Sequence, residues 1–287
     1  MLISFTLTAT IMVVEFVGGV ITNSLALISD AGHMLSDAGS LLLSLLAVWY
    51  AAKPPSSNKT FGFYRFEILA ALLNGATLFL IAGIIMWEAY HRIWQPPAVQ
   101  SGTMIIIAAI GLLTNLASAW ALTHHGDTAN VNVRSAYLHI LGDALGSVGA
   151  ITAGVLIYFF RWYWADPAVS VIVGLLILRS AWHVIDEALR ILMEGTPPTI
   201  DWADVKDTLS KIPGIKDVHD LHIWSLTSGV DTLTCHLLID HGIDPQQILQ
   251  EAIKQIAEKY KIHHTTIQVE TEDFYQRICS ETACPII

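Results

Sequence analysis

Six long apolar segments constrain the fold of this 287-residue chain more than any other feature of its sequence. A membrane-spanning helix needs roughly 20 mostly apolar residues, and each segment has about that length. Hydrophobic residues make up 53% of the chain and charged residues only 14%, which is typical of integral membrane proteins rather than soluble ones. The segments are residues 2–21, 25–51, 68–87, 104–122, 136–160 and 169–185.

Basic residues near the ends of these segments predict their orientation. The loop between the second and third segments carries Lys53, Lys59 and Arg65, and the loop between the fourth and fifth carries Arg134. The loops on the opposite side carry two arginines. Because an excess of Lys and Arg marks the cytoplasmic side of a membrane protein, we expect both termini to lie in the cytoplasm.

The hydrophobic pattern changes after residue 195, which predicts a six-helix transmembrane domain (1–195) and a cytoplasmic domain (196–287) that ends in a short tail. In the second domain, amphipathic periodicity indicates two helices and alternation indicates three strands. In chain order these elements are residues 201–212, 218–226, 230–239, 244–260 and 265–270. The predicted fold class is therefore an α-helical membrane protein with a small α-β-β-α-β domain.

The charge of the cytoplasmic part restricts its partners. Residues 196–287 carry 14 Asp and Glu against 7 Lys and Arg, and they hold half of the 12 histidines. This balance argues against nucleic acid as a partner and is compatible with metal cations. The three cysteines also lie there, and they are too few to form a disulfide framework.

A His-x3-Asp motif occurs twice inside apolar segments, as His33 with Asp37 and as His139 with Asp143. Ionisable groups are costly in a bilayer and usually face a partner or a cavity. Residues four apart share one face of a helix, so two such faces turned together would present two nitrogens and two oxygens. That set suits tetrahedral zinc, whereas a single His or Asp would more simply hydrogen-bond a neighbouring helix.

Other acidic residues in or near these segments leave alternatives open. Asp30 lies seven residues before Asp37 on the same helix face, where it either lines the route to the metal or caps the second segment. Glu15 and Glu88 are interpreted as packing groups or as groups that face a water-filled cavity.

The paired motif predicts exchange of a metal for protons. One divalent cation cancels the charge of Asp37 and Asp143, and protons are the available replacement when the metal leaves. Imidazole titrates near pH 6.5, and metal ions compete with protons for the same atoms. The predicted function is therefore a divalent-cation/proton antiporter.

Two other functions compete with this prediction. An intramembrane metalloenzyme needs an open coordination position and a general base, but the sequence has no His-Glu-x-x-His motif. Four protein ligands would also leave no position for a catalytic water, so we expect no enzyme. A membrane-anchored zinc sensor or scaffold without transport remains the other alternative.

Together with the paired motif, several further segments make the chain resemble the cation diffusion facilitator family of divalent-metal/proton antiporters. They are residues 24–27, 61–71, 166–167 and 218–226. The resemblance implies a homodimer in the lipid bilayer, a ferredoxin-like cytoplasmic domain and alternating access to the site. It also implies the zinc-selective branch, with Cd²⁺ or Co²⁺ as further substrates, a role in metal resistance and a bacterial inner (plasma) membrane.

The resemblance implies a second metal site in the cytoplasmic domain, at His219, His236, His263 and Glu270. If Ser228-Gly229 forms a two-residue turn, strand alternation puts His219 and His236 on one face of the hairpin and His222 on the other. Two tail thiols either add ligands or remain free. They are Cys279 and Cys284.

The resemblance also implies an ion pair that couples the two domains. Arg65 lies at the cytoplasmic end of the third segment, and Glu194 lies where the sixth segment meets the cytoplasmic domain. The simpler alternative is that Arg65 only follows the excess of positive charge on the cytoplasmic side.

Overall fold

The structure is a computed structural model that describes residues 2–51, 56–125 and 131–272. Six long helices come first, and two shorter helices and three strands follow in the predicted α-β-β-α-β order. The elements are α1 (Leu2–Thr22), α2 (Leu25–Ala51), α3 (Tyr64–Trp94), α4 (Ser101–His125), α5 (Val131–Phe160), α6 (Ala165–Leu192), α7 (Trp202–Ser210), β1 (Ile215–Thr227), β2 (Val230–Ile239), α8 (Pro245–Tyr260) and β3 (His264–Thr271).

The long helices have the composition of membrane spans. By length and hydropathy, α3, α4, α5 and α6 each hold a stretch that can cross a membrane. In the parts of α1 and α2 whose side chains are described, the apolar stretches are the shorter Thr8–Thr22 and Leu25–Leu35. Large apolar side chains such as Leu73 and Phe159 point outward and are 70% exposed, as expected of a surface that faces lipid.

Small residues fill the interfaces between these helices. Ala108 of α4 and Ala150 and Ala153 of α5 are fully buried in one cluster, where α4 and α5 pack along their length. Small side chains allow helix backbones to approach closely, which is the usual source of packing energy between helices in a membrane. This packing holds α5 firmly against α4, while α5 also contacts α2.

The start of α2 is fixed by a side chain from α6. The buried carboxylate of Asp166 accepts hydrogen bonds from Ser24 Oγ at 2.6 Å, from the Leu25 amide at 2.7 Å and from the Ala26 amide at 3.1 Å. The first amides of a helix lack partners within the helix, and a negative charge there is favourable. The proposed capping role of Asp30 is therefore wrong, because this cap is already made by other residues.

The elements that follow α6 build a three-stranded sheet in the order β1-β2-β3, with β1 antiparallel and β3 parallel to β2. The helices α7 and α8 cover one face of this sheet and enclose a single apolar core. At the start of α8, Asp244 caps the helix and Pro245 takes the first position, as the sequence predicts. Representative core residues are Leu209, Val218, Leu233, Leu237 and Ile256.

The described residues divide into two compact units. The first holds residues 2–51, 70–125 and 131–186, and the second holds residues 56–69 and 187–272. The helices α3 and α6 each contribute residues to both units, because α3 begins in the second unit and α6 ends there.

Candidate metal sites

Within the first unit, α2 and α5 bring two of the predicted metal ligands together. His33 Nε2 of α2 lies 3.6 Å from Asp143 Oδ1 of α5. His33 is half-buried and Asp143 is only 7% exposed. Two ligand atoms on a tetrahedral zinc ion with bonds of roughly 2.0–2.1 Å lie about 3.3–3.4 Å apart. The observed separation is close to that value, so this pair can share one ion after a small adjustment.

The other two predicted ligands lie one helical turn away on the same helices. Asp37 follows His33 in α2, and His139 precedes Asp143 in α5. Both have helical backbone, and their side chains fall outside the described part of the structure. His33 of α2 and Asp143 of α5 thus supply one nitrogen and one oxygen of the predicted set, at the separation given above.

Asp30 is buried between the same two helices, one turn before His33. It is 2% exposed, and Ser147 Oγ of α5 donates a hydrogen bond to its Oδ2 at 3.2 Å. A Cβ atom placed on Gly146 would lie 2.3 Å from Asp30 Oδ1, so glycine is needed at that position to make room for the carboxylate. Of the two roles left open for Asp30, a position along the metal route fits this geometry.

In the second unit, the sheet assembles a three-residue cluster with metal-ligand chemistry. The ligand atoms of His219, His236 and Glu270 all lie within 4.8 Å of one another. Strand register causes this, since His219 pairs with His236 across β1 and β2, and Glu270 pairs with Leu238, two residues beyond His236. Two imidazoles and a carboxylate from three strands form a site that leaves a fourth zinc position open.

Glu270 is the centre of this cluster. Its Oε1 lies 2.9 Å from His236 Nδ1, and its Oε2 lies 3.4 Å from His219 Nε2. Gln268 Nε2 also donates a hydrogen bond to Oε1 at 2.6 Å. Because Glu270 is only 4% exposed, its charge needs these partners or a cation. The arrangement brings together two imidazoles and a carboxylate, which are donor groups that a metal requires.

The predicted position of His222 is wrong. His219 pairs with His236 and His222 pairs with Thr234, so β1 contains one extra residue between them. This β-bulge shifts the alternation of β1 by one, which puts His222 on the same face as His219. Asp220, at a φ of 51°, takes the irregular backbone position.

Asp220 is a polar neighbour of the cluster that the sequence prediction missed. Its Oδ1 lies 2.9 Å from His222 Nε2, and its Oδ2 lies 3.6 Å from His236 Nε2. Asp tolerates positive φ better than most residues, and the His-Asp-x-His pattern was the signal in the sequence that could have indicated it. Asp220 links the exposed His222 to the three-residue cluster.

His263 is not part of this cluster in the described chain. It is exposed and comes just before β3, whose first residue, His264, pairs with Thr232. Glu270 lies six residues further along β3, or roughly 20 Å at 3.3 Å per residue. A single chain therefore cannot bring His263 to Glu270.

The cysteines contribute no described ligand. Burial raises the pKa of the Cys235 thiol to about 12, with a smaller contribution from the charge of Asp220. A neutral buried thiol is a poor metal ligand, which agrees with the expectation that Cys235 belongs to the core. Cys279 and Cys284 lie outside the described residues.

The predicted coupling pair is in contact. Arg65 Nη2 donates a hydrogen bond to Glu194 Oε1 at 2.7 Å, and both side chains are exposed. Two residues further along α3, Glu67 Oε2 accepts a hydrogen bond from Thr227 Oγ1, the last residue of β1, at 2.7 Å. All four residues belong to the second unit, so the first turn of α3 is bound to the end of α6 and to the sheet.

The chain matches two family models that together cover nearly its whole length. Residues 1–193 match the cation efflux transmembrane domain, and residues 197–272 match the cytoplasmic domain of cation efflux proteins.

Individual relatives are similar over almost the entire chain. The cadmium, cobalt and zinc/H(+)-K(+) antiporter of Bacillus subtilis is 50% identical, over 95% of this chain and 88% of its own length. The metal cation efflux system protein CzcD of Cupriavidus metallidurans is 44% identical, over 93% and 85%. The zinc transporter ZitB of Escherichia coli is 41% identical, over 97% and 89%. These relatives are thus transporters or efflux proteins for divalent metals.

Proposed function

Because the chain belongs to the cation efflux, or cation diffusion facilitator, family, we propose that it is an antiporter that moves Zn²⁺ out of the cytoplasm in exchange for protons. Residues 1–195 cross a bacterial inner membrane, and residues 196–287 form the cytoplasmic domain with both termini on that side. Relatives named for metal efflux, zinc transport and antiport support this proposal. The activity is secondary transport and not enzymatic catalysis.

One measured distance carries the proposal for the transport site, the 3.6 Å between His33 Nε2 and Asp143 Oδ1 across α2 and α5. In the proposal, Asp37 and His139 complete a tetrahedral His₂Asp₂ set around the ion, and access to it alternates between the two sides of the membrane. Cadmium and cobalt accept the same ligand types, so Cd²⁺ and Co²⁺ are further substrates.

Electrostatics explains why such a site exchanges ions and does not simply hold one. The helices α2, α4 and α5 contain one Lys or Arg in all, Arg134, nine residues before Asp143 in α5. A buried carboxylate without a cation is costly, so the site cannot release Zn²⁺ and stay empty and ionised. Protons supply the replacement charge, which links outward movement of metal to inward movement of protons.

The cytoplasmic cluster is proposed to bind a second, regulatory zinc ion in a homodimer. His219, His236 and Glu270 are the ligands from one chain, and their separations support this role. His263 joins the site only as a ligand from the second subunit, since it lies at the opposite end of β3. The tail thiols of Cys279 and Cys284 remain proposed additional ligands.

The Arg65–Glu194 pair is proposed to couple zinc binding in the cytoplasm to the transmembrane helices. The proposal is supported by the 2.7 Å contact between Arg65, at the beginning of α3, and Glu194, just after the end of α6. Both helices continue into the first unit, so a change in this pair can act on them through the helix backbone.

Flux measurements on the reconstituted full-length protein test the proposed function. Proteoliposomes with an imposed pH gradient should accumulate zinc, and Asp143→Ala should abolish the accumulation. The matched control is Asp186→Asn, which removes a carboxylate from an exposed position on α6. Absence of zinc flux in the wild-type protein, or full flux in Asp143→Ala, would refute the transport proposal.

The three-residue cluster in the cytoplasmic domain favours one second candidate, a zinc sensor or scaffold without transport. The two functions differ in one measurement. A sensor binds zinc at His219 and His236 but gives no flux in proteoliposomes, whereas the antiporter gives flux even after both histidines are replaced by alanine.

A further inference from the structure

Glu15 is a buried acid that the proposed transport site does not use. It is the single charged residue of α1 and is 1% exposed. Both oxygens of its carboxylate are buried, and neither has a hydrogen-bond partner within the described residues. An ionised carboxylate in such a place is strongly unfavourable, and more so inside a membrane. Glu15 is therefore neutral in this arrangement of the helices.

The neighbouring helices leave space for this carboxyl group. A Cβ atom placed on Gly111 of α4 would lie 2.1 Å from Glu15 Oε1, so the carboxyl fills the room that glycine leaves. The same relation holds between Gly146 and Asp30, at 2.3 Å. Glu15 of α1 and Asp30 of α2 thus each pack against a glycine of another helix.

Polar groups continue from Glu15 toward the metal ligands. The position that a Gly111 Cβ would take is also 3.4 Å from Ser147 Oγ, so the Ser147 hydroxyl and the Glu15 carboxyl both border the space that this glycine leaves. Ser147 in turn donates a hydrogen bond to Asp30, which is one turn before His33. Ser147 and Asp30 thus place a hydroxyl and a carboxyl group between the region of Glu15 and the α2–α5 site.

Among the described residues, the charged groups that act on Glu15 are both acidic. Asp30 of α2 and Asp143 of α5 both interact electrostatically with Glu15. The helix α4, which contributes Gly111, contains no Asp, Glu, Lys or Arg. One Zn²⁺ ion balances two carboxylates, whereas α1, α2 and α5 together carry four, at Glu15, Asp30, Asp37 and Asp143. Other cations must balance the remainder.

We propose that Glu15 carries a proton that is exchanged for zinc. Its carboxyl holds the proton while it is buried against Gly111 and releases it, as an ionised carboxylate, in the conformation that opens this region to water. Asp30 is less suited to this role, because it accepts a hydrogen bond from Ser147. This inference rests on the proposed antiport and names a residue that carries one of its protons.

Glu15→Gln tests the inference, because glutamine copies the shape and neutrality of the protonated acid but cannot release a proton. Glu88→Gln is the matched control, since Glu88 pairs with Arg92 at 2.8 Å and lies outside the metal site. Each variant is reconstituted at full length in potassium-free buffer. Exchange of labelled for unlabelled zinc at equal pH reports on the metal site, and a pH-sensitive dye inside the vesicles reports proton movement.

We expect Glu15→Gln to exchange zinc for zinc at the wild-type rate and to move fewer protons per zinc ion. With a gradient of one pH unit, each proton lost from the cycle lowers the final zinc accumulation ratio about tenfold. Glu88→Gln should match the wild-type protein, and Glu15→Asp should keep proton coupling.

Two results would overturn the inference. One is a Glu15→Gln protein that moves as many protons per zinc ion as the wild-type protein. The other is loss of zinc-for-zinc exchange in a Glu15→Gln protein that melts at the wild-type temperature, since this would make Glu15 part of metal binding. If the wild-type protein itself moves no zinc, the proposed function fails instead.

Discussion

Replacing Asp166 by asparagine should loosen the first turn of α2, the helix that carries His33. The carboxylate accepts three hydrogen bonds, from Ser24 Oγ and from the amides of Leu25 and Ala26. Asparagine has the same shape, but one oxygen becomes an NH₂ group that cannot accept. The Leu25 amide, 2.7 Å from Oδ2, then faces a donor and loses its partner.

The size of the effect follows from these contacts. A buried donor left without a partner costs about 1–3 kcal/mol. Loss of the negative charge at a helix N-terminus adds about 0.3–1 kcal/mol, and more where the group is buried as it is here. Together these give about 1.3–4 kcal/mol, which is a factor of roughly 10 to 1,000 in the equilibrium for opening the first turn.

Hydrogen–deuterium exchange of the full-length protein in detergent measures this opening directly. The amides of Leu25 and Ala26 should exchange faster by that factor in Asp166→Asn, while amides of the cytoplasmic sheet keep their wild-type rates. Asp186→Asn, on the same helix but exposed, is the matched control. Unchanged protection at the start of α2 would show that Asp166 does not hold this turn.

Three further predictions concern the cytoplasmic domain. Glu270→Gln should lower zinc affinity by at least about tenfold, because it removes the central anionic ligand; calorimetry with the transport site disabled would measure this. Arg65→Glu and Glu194→Arg should each slow zinc flux, and the double exchange should restore it; if neither single change slows flux, the coupling proposal fails. Hydrogen bonds from Lys259, and then from Tyr260, hold the pKa of Asp204 below its ordinary value of 3.8, so this carboxylate stabilises the fold above about pH 4 and ceases to do so as the pH falls through its lowered pKa. Thermal melts should therefore show the destabilisation of Asp204→Asn near neutral pH and its disappearance in acid.

The sequence predicted the elements of this chain well because hydrophobic period is a local property. Long apolar runs and an α-β-β-α-β pattern can be recognised in windows of 10 to 20 residues, and the strand β2 was predicted with its observed bounds, Val230–Ile239. The repeated His-x3-Asp spacing likewise indicated which two helices face each other.

Features that depend on long-range contacts were not predictable in the same way. Asp166 and Ser24 are 142 positions apart, and no local pattern shows that one caps the helix that follows the other. The β-bulge at Asp220 adds one residue without changing composition, yet it moves His222 to the opposite face of the sheet. The contact of Glu15 with Gly111 depends on how α1 packs on α4, and hydropathy does not specify this packing.

The two proposed metal sites use similar ligands, but the surroundings of their carboxylates differ. Glu270 accepts a hydrogen bond from Gln268 and has two half-exposed imidazoles beside it, and these groups stabilise its charge. Asp143 lies among helices that carry other acids and almost no basic residues. In the proposed antiport, zinc and protons alternate in balancing its charge. The surroundings of each carboxylate, more than the identity of the ligands, therefore support the proposed difference between the sites, which is retention of zinc in the cytoplasmic domain and exchange of zinc between α2 and α5.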